Sequence, residues 1–214
     1  MMKAREFKEF IEHLASEKAP GPSTTFSMFH IYYALELLSQ KPIGRNKLAE
    51  KLKVGDGAIR TIIKRLRGSN LIICRKEGCS LTEEGSKTWN TFQELFPTRT
   101  EIEKTELTHS EYNYAFLVKN SAHMIGSGIE QRDAAIMGGA KRAIAIACRE
   151  GHLVINSVSG IAEKAFPDAA RKILQKLKAE ENDVIIIAGS DDDPLKARRG
   201  AFAASWVLIG HTES

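Results

Sequence analysis

The feature that most constrains this 214-residue chain is a tight turn, Val54-Gly55-Asp56-Gly57, set between two short apolar repeats of helical period. Before the turn, Leu48, Ala49 and Leu52 share one face of a helix over about Arg45–Leu52. After it, Ile59, Ile62, Ile63 and Leu66 share one face of a helix over about Gly57–Ser69, for which Asp56 is a natural N-cap. Two helices this short must bury their stripes against other elements. The flanking sequence supplies those elements. An apolar helix (Phe26, Met28, Phe29, Ile31, Tyr32, Leu35, Leu37, Leu38) precedes, capped by Thr24 or Thr25 and stopped by Lys41-Pro42. Leu71–Arg75 and Cys79–Thr82 follow, flanking Lys76-Glu77-Gly78 as a short hairpin, and Thr82 caps a further helix to about Leu95. A separate helix over residues 3–18 carries Phe7, Phe10, Ile11 and Leu14, and Ala19-Pro20-Gly21-Pro22-Ser23 ends it.

Charge is spread unevenly over this plan. The net charge is +4, yet residues 1–107 hold 18 Lys+Arg against 14 Asp+Glu, whereas residues 108–214 hold 13 of each. From Lys41 to Lys76 stand eleven basic residues (Lys41, Arg45, Lys47, Lys51, Lys53, Arg60, Lys64, Arg65, Arg67, Arg75, Lys76) and two acidic ones, Glu50 and Asp56, a net +9. A block of that kind on two helices and a hairpin suits a polyanion.

Helix, helix, turn, helix, hairpin, helix over residues 26–95 is the order of a winged helix-turn-helix. Three strings also resemble bacterial and archaeal winged-helix regulators: Ile43-Gly44-Arg45-Asn46-Lys47-Leu48-Ala49-Glu50, Gly57-Ala58-Ile59-Arg60 and Leu81-Thr82-Glu83-Glu84-Gly85. The second helix of such a pair enters the major groove of double-stranded DNA. Gly57, Arg60, Thr61 and Lys64 form its expected outward stripe, with Arg67 beyond. Arg60 suits a guanine edge or a phosphate, Thr61 a thymine methyl or a phosphate, and Lys64 the backbone. Arg45, Lys47 and Lys51 on the preceding helix suit phosphates, as do Arg75 and Lys76 at the hairpin tip.

Residues 98–110 read as a linker or short strand, separating a DNA-binding domain over 23–97 from an α/β domain over 111–214, with residues 1–22 as an N-terminal helix and linker. Strands are expected at Tyr112–Val118, Ala143–Cys148, Leu153–Val158 and Val184–Ala188, and helices at Gly128–Ala140, Pro167–Lys178 and Pro194–Ile209. The fold class is therefore α+β: a winged helix-turn-helix followed by a ferredoxin-like domain, β-α-β-β-α-β plus a helix. The run Gly128-Ile129-Glu130-Gln131-Arg132-Asp133-Ala134-Ala135-Ile136-Met137-Gly138-Gly139-Ala140, with Tyr114–Lys119 and Ile144–Leu153 around it, resembles a group of archaeal transcriptional regulators. The resemblance implies an N-terminal winged helix and a C-terminal domain of uncharacterised function, and names no ligand. Glu130, Arg132, Asp133, Arg198 and Arg199 are the candidates for contact with a small-molecule effector. Structural ion pairing with other elements of the fold is the alternative for Arg132 and Asp133, which as neighbours on a helix point to different sides. Asp191-Asp192-Asp193 before Pro194 read as a helix start, and a metal site is the sharper but weaker reading.

Three cysteines do not make a secreted disulfide framework, and no apolar run reaches the roughly 18 residues of a membrane helix, so a cytoplasmic protein without membrane contact is expected. No Walker A, dinucleotide fingerprint or His-Glu-x-x-His motif is present, and neither catalytic residues, metal nor cofactor are assigned. Cys74 and Cys79 flank the hairpin turn with redox pairing open to them, and His30 reads as a packed core residue. The expected function is a homodimeric transcriptional regulator, with the N-terminal helix (Phe7, Phe10, Ile11, Leu14) or the last helix (Phe202, Trp206, Leu208, Ile209) available for the dimer contact. The rivals are a protein-interaction module and an enzyme with its site around Arg132, Asp133 and Asp191–Asp193.

Overall fold

The computed structural model describes residues 4–16, 26–155 and 160–210 and falls into two compact units, Met1–Phe92 and Gln93–Ser214. It is mixed α and β, with one two-stranded and one six-stranded sheet. The expected break at Ala19–Ser23, Thr24, Thr25 and the end of the strand expected to reach Val158 lie outside the described residues.

In the first unit, α1 (Ala4–Ala15) turns Phe7, Ile11 and Leu14 inward, and the Phe7 ring meets Phe92 edge-on at 4.8 Å. Helix α2 (Met28–Gln40) is buried along most of its length. Its N-cap is Ser27 rather than either threonine, and the Ser27 N–H donates to Nδ1 of His30 at 2.9 Å. His30 is thus buried with its ring nitrogen closing a helix start.

Helices α3 (Arg45–Leu52) and α4 (Asp56–Gly68) bracket the turn. Lys53 takes the left-handed conformation there, and its N–H meets the Ala49 and Glu50 carbonyls. Gly55 is the N-cap of α4, so Asp56 is its first helical residue and not the cap. Helix α4 buries Ala58, Ile59, Ile62 and Leu66, whereas Ile63, expected in the core, is only half-buried.

Strands β1 (Ile72–Arg75) and β2 (Gly78–Leu81) form the hairpin, with Cys74 directly opposite Cys79 and disulfide-bonded to it. The Cys79 backbone also exchanges both hydrogen bonds with Ile43 at 2.9 Å, which ties the hairpin to the segment before α3. Thr82 accepts from the Gly85 N–H at 3.0 Å and caps α5 (Glu83–Leu95).

The second unit is built on an antiparallel sheet of β3 (Arg99–Ile102), β4 (Tyr112–Val118), β5 (Arg142–Arg149), β6 (His152–Ile155), β7 (Gly160–Ile161) and β8 (Val184–Ser190). Their spatial order is β3-β4-β8-β5-β6-β7. Helices α6 (Ile129–Met137) and α9 (Pro194–Val207) cover one face, where Phe202 lies 6.2 Å from Phe116. Helices α7 (Ala162–Ala165) and α8 (Pro167–Leu177) cover the other, where Ala170, Ile173 and Leu177 pack with Ala115, Leu117, Ile185 and Ile187.

This order corrects the ferredoxin-like expectation. Strands β4 and β5, joined through α6, do run parallel with one antiparallel strand between them, as in a split β-α-β unit. The strand in the gap is β8, the last of the sheet, and not β6. The physical reason is composition. Val184-Ile185-Ile186-Ile187-Ala188 is apolar at every position and all seven residues of β8 are buried, which only a strand covered on both faces allows. Within residues 98–110, read as a linker or a short strand, Arg99–Ile102 does form a strand, β3, at the edge of the same sheet.

Candidate nucleic-acid interface

The 3.6-residue period of α4 sends Ile59, Ile62 and Leu66 inward and leaves Gly57, Arg60, Lys64 and Arg67 on one exposed stripe. Arg45 on α3 stands beside it. Arg45, Arg60, Ile63, Lys64, Arg67 and Gly68 together line an open depression of about 430 Å³. Four cations around a half-buried isoleucine make a cradle whose wall is positive and whose floor is apolar. No Cβ at Gly57 would meet anything within 4 Å, so the helix start is open to close approach.

Asp56 is the counter-charge of this surface. Its carboxylate lies 2.6 Å from Nη2 of Arg60, one helical turn on, and 3.7 Å from Nε of Arg45. The pairs hold both guanidiniums over the start of α4, where a negative group also opposes the helix dipole.

Other expected contacts divide. Lys47, Lys51, Arg75 and Lys76 are exposed on α3 and at the hairpin tip. Thr61 is half-buried and turns its hydroxyl back to the Gly57 carbonyl at 3.0 Å, so the outward stripe runs through Arg67 rather than Thr61. Arg65, part of the +9 block, is structural: it donates to the Leu14 carbonyl at 2.7 Å and lies over the Phe26 ring at 5.0 Å.

In the second unit four of the five effector candidates, Arg132, Asp133, Arg198 and Arg199, are engaged locally. Arg132 donates to the Asp133 carboxylate at 3.0 and 3.2 Å on the exposed face of α6, where Glu130 is also exposed. The two neighbours thus pair with each other rather than with other elements. Arg199 donates to the Gly138 carbonyl just beyond α6, and Arg198 lies over the Tyr114 ring at 4.9 Å.

The three aspartates likewise part company. Asp191 pairs with Lys141 and Arg142, Asp192 with Lys196, and Asp193 caps α9 by accepting from the Leu195 N–H at 2.9 Å. The Lys141 ammonium holds the Asp191 carboxyl below its ordinary range, and Lys196, helped by Ser190, does the same for Asp192. Among the described residues no group of three potential ligands converges on a metal position.

A cavity of about 630 Å³ that the sequence did not suggest lies between the segment after β3 and α8. Its lining includes Ile102, Glu103, Asp168, Lys172, Ile173 and Lys176, with Lys172 on Glu103 at 3.3 Å and Lys176 on the Glu101 carbonyl at 2.7 Å. Nothing in the spacing of those residues joins residues 70 positions apart, so only the fold could reveal it. No described helix is long and apolar enough to cross a membrane.

Known proteins resemble the chain in two stretches. Residues 32–87 match the model of PH0730-like N-terminal domains, and residues 109–208 match that of a domain of unknown function, DUF4443. The solved structure of the hypothetical protein PH0730 from Pyrococcus horikoshii OT3 is similar over 86% of this chain and 92% of that one, with a TM-score of 0.68 and 25% identity. No curated protein matches. These likenesses fit an uncharacterised archaeal protein family.

Proposed function

We propose that the first unit is a winged helix-turn-helix that binds double-stranded DNA, and that the protein is a regulator of transcription rather than an enzyme. The observation that carries this reading is the stripe of Arg60, Lys64 and Arg67 on α4, which with Arg45 surrounds one open depression. Helix α4 enters the major groove. Arg60 at its start reaches base edges or the flanking phosphate, and Lys64 and Arg67 follow the backbone. Lys47 and Lys51 hold phosphates from α3, and Arg75 and Lys76 do so from the hairpin, the wing of this reading. Arg132, Asp133, Arg198 and Arg199 have no part in it, since each is engaged inside the second unit.

Binding of the full chain to a random-sequence duplex tests the proposal. Affinity should fall steeply with salt, with a log–log slope of about −4 to −7 if five to eight cations meet phosphates. The Arg60→Glu/Lys64→Glu/Arg67→Glu variant should lose about 100-fold or more at fixed salt. Arg171→Glu/Lys172→Glu/Lys176→Glu, an equally charged change on α8, should leave binding as it was. Equal loss in both variants, or no salt-dependent binding at all, would overturn groove entry by α4.

A further inference from the structure

Arg45, Arg60, Lys64 and Arg67 ring one depression, and Asp56 makes them unequal. Its carboxylate lies 2.6 Å from Nη2 of Arg60 and 3.7 Å from Nε of Arg45, whereas no carboxylate pairs with Lys64 or Arg67 among the described residues. A phosphate gripped by Arg60 would sit close to Asp56, well inside the Debye length of about 8 Å at physiological salt. The two anions repel. The start of α4 is therefore a poor phosphate seat, and its Lys64–Arg67 end is a good one. What the start offers is hydrogen-bonding capacity rather than net charge.

The Arg60 guanidinium spends an N–H on Asp56 and keeps a parallel pair of N–H groups for another edge, and the Asp56 carboxylate keeps lone pairs for another donor. Both side chains are exposed, Arg60 at 63% and Asp56 at 57%. Gly55 and Gly57 flank Asp56 without side chains, and Thr61 turns its hydroxyl back to the Gly57 carbonyl, so none of these neighbours screens the pair from a base edge. In the major groove a G·C pair presents N7 and O6 of guanine as adjacent acceptors, then the N4 amino group of cytosine as a donor. Parallel N–H groups beside a carboxylate match that order. An A·T pair presents an acceptor, a donor and an acceptor, which sets the adenine amino group against an Arg60 N–H.

We propose that Asp56 and Arg60 form a base-reading pair that selects a G·C pair, Arg60 donating to O6 and N7 of the guanine and Asp56 accepting from N4 of the cytosine. The inference rests on the reading of α4 as the groove helix and deepens it. The start of α4 specifies the site, and Lys64 and Arg67 supply affinity without regard to sequence.

Selection of bound fragments from a random-sequence duplex pool, followed by salt titrations on the selected duplex and on a random one, tests it with the full chain. The parent should enrich a G·C position and bind it about tenfold or more tighter than the same duplex with A·T there. Asp56→Asn keeps the shape and removes the charge. It should lower that discrimination to about threefold or less. It should also tighten binding to random duplex about two- to fivefold and steepen the log–log salt slope by about 1, as Arg60 turns to a phosphate. Effects of opposite sign separate base reading from a helix-start role, whose loss would weaken binding to both duplexes. Arg60→Ala should abolish the preference at the same position, and Lys64→Ala should weaken binding to all duplexes alike. Thermal melts check the fold of each variant. A parent that enriches no G·C position would overturn the pair and leave groove entry by α4 standing. So would an Asp56→Asn variant that keeps tenfold discrimination or weakens binding to random duplex. No salt-dependent binding by the parent would overturn the reading of α4 and the pair with it.

Discussion

At the scale of single residues, the second unit rests on a buried carboxylate. Asp183 is fully buried and accepts from the Lys119 ammonium at 2.9 Å and from the N–H groups of Asn120 and Glu180 at 3.2 and 2.9 Å. Hydrogen bonds to Glu180 first, and then to Asp183, raise the Lys119 pKa above its ordinary 10.5. A raised folded value means that the stability gained is complete below 10.5 and is lost as pH climbs through the folded value. Lys119→Met should therefore cost about 2 kcal/mol in urea unfolding at neutral pH, with the gap to the parent closing in strong alkali. The residues most legible in the sequence were those whose role needs only charge and period. Arg60, Lys64 and Arg67 face outward as their spacing requires. Arg65 was opaque because its partners, the Leu14 carbonyl and the Phe26 ring, come from distant segments. Asp56 carried a readable signal, a carboxylate four residues before an arginine, but its helix-capping propensity pointed elsewhere.

At the scale of elements, close approach decides more than propensity. Gly138 and Gly200 let α6 and α9 touch, and a Cβ at Gly200 would overlap Ala140 and crowd the Ala135 carbonyl. Gly200→Ala should lower stability by about 1–3 kcal/mol, read as a shift of the thermal midpoint, because a backbone carbonyl cannot step aside. Helices and the hairpin were legible because amphipathic period and turn chemistry are local. Their exact starts were less so: Thr24, Thr25 and Ser27 offer similar hydroxyls, and the His30 ring favours Ser27. The two-residue β7 and the four-residue α7 are too short to leave a periodic trace.

At the scale of the molecule, the uneven charge separates two kinds of unit, a basic helical one and a slightly acidic one around a broad sheet. The element order of the second unit was legible, and the strand order was not. Pairing joins residues far apart in sequence, and the β-α-β-β-α-β succession is compatible with more than one arrangement. A sign of the answer did stand in the sequence, since an unbroken Val-Ile-Ile-Ile-Ala run suits a strand buried on both faces. The central place of β8 also governs how this unit comes into being. During synthesis β4 and β5 leave the ribosome well before the strand that must lie between them. Each waits with an open edge, a site where another nascent chain can add a strand. Protection of their amides from hydrogen exchange during refolding should appear together with that of β8 and not before it. A ribosome stalled short of Val184 would thus display an unfinished sheet, and the exposure of that sheet to aggregation would last as long as the stall.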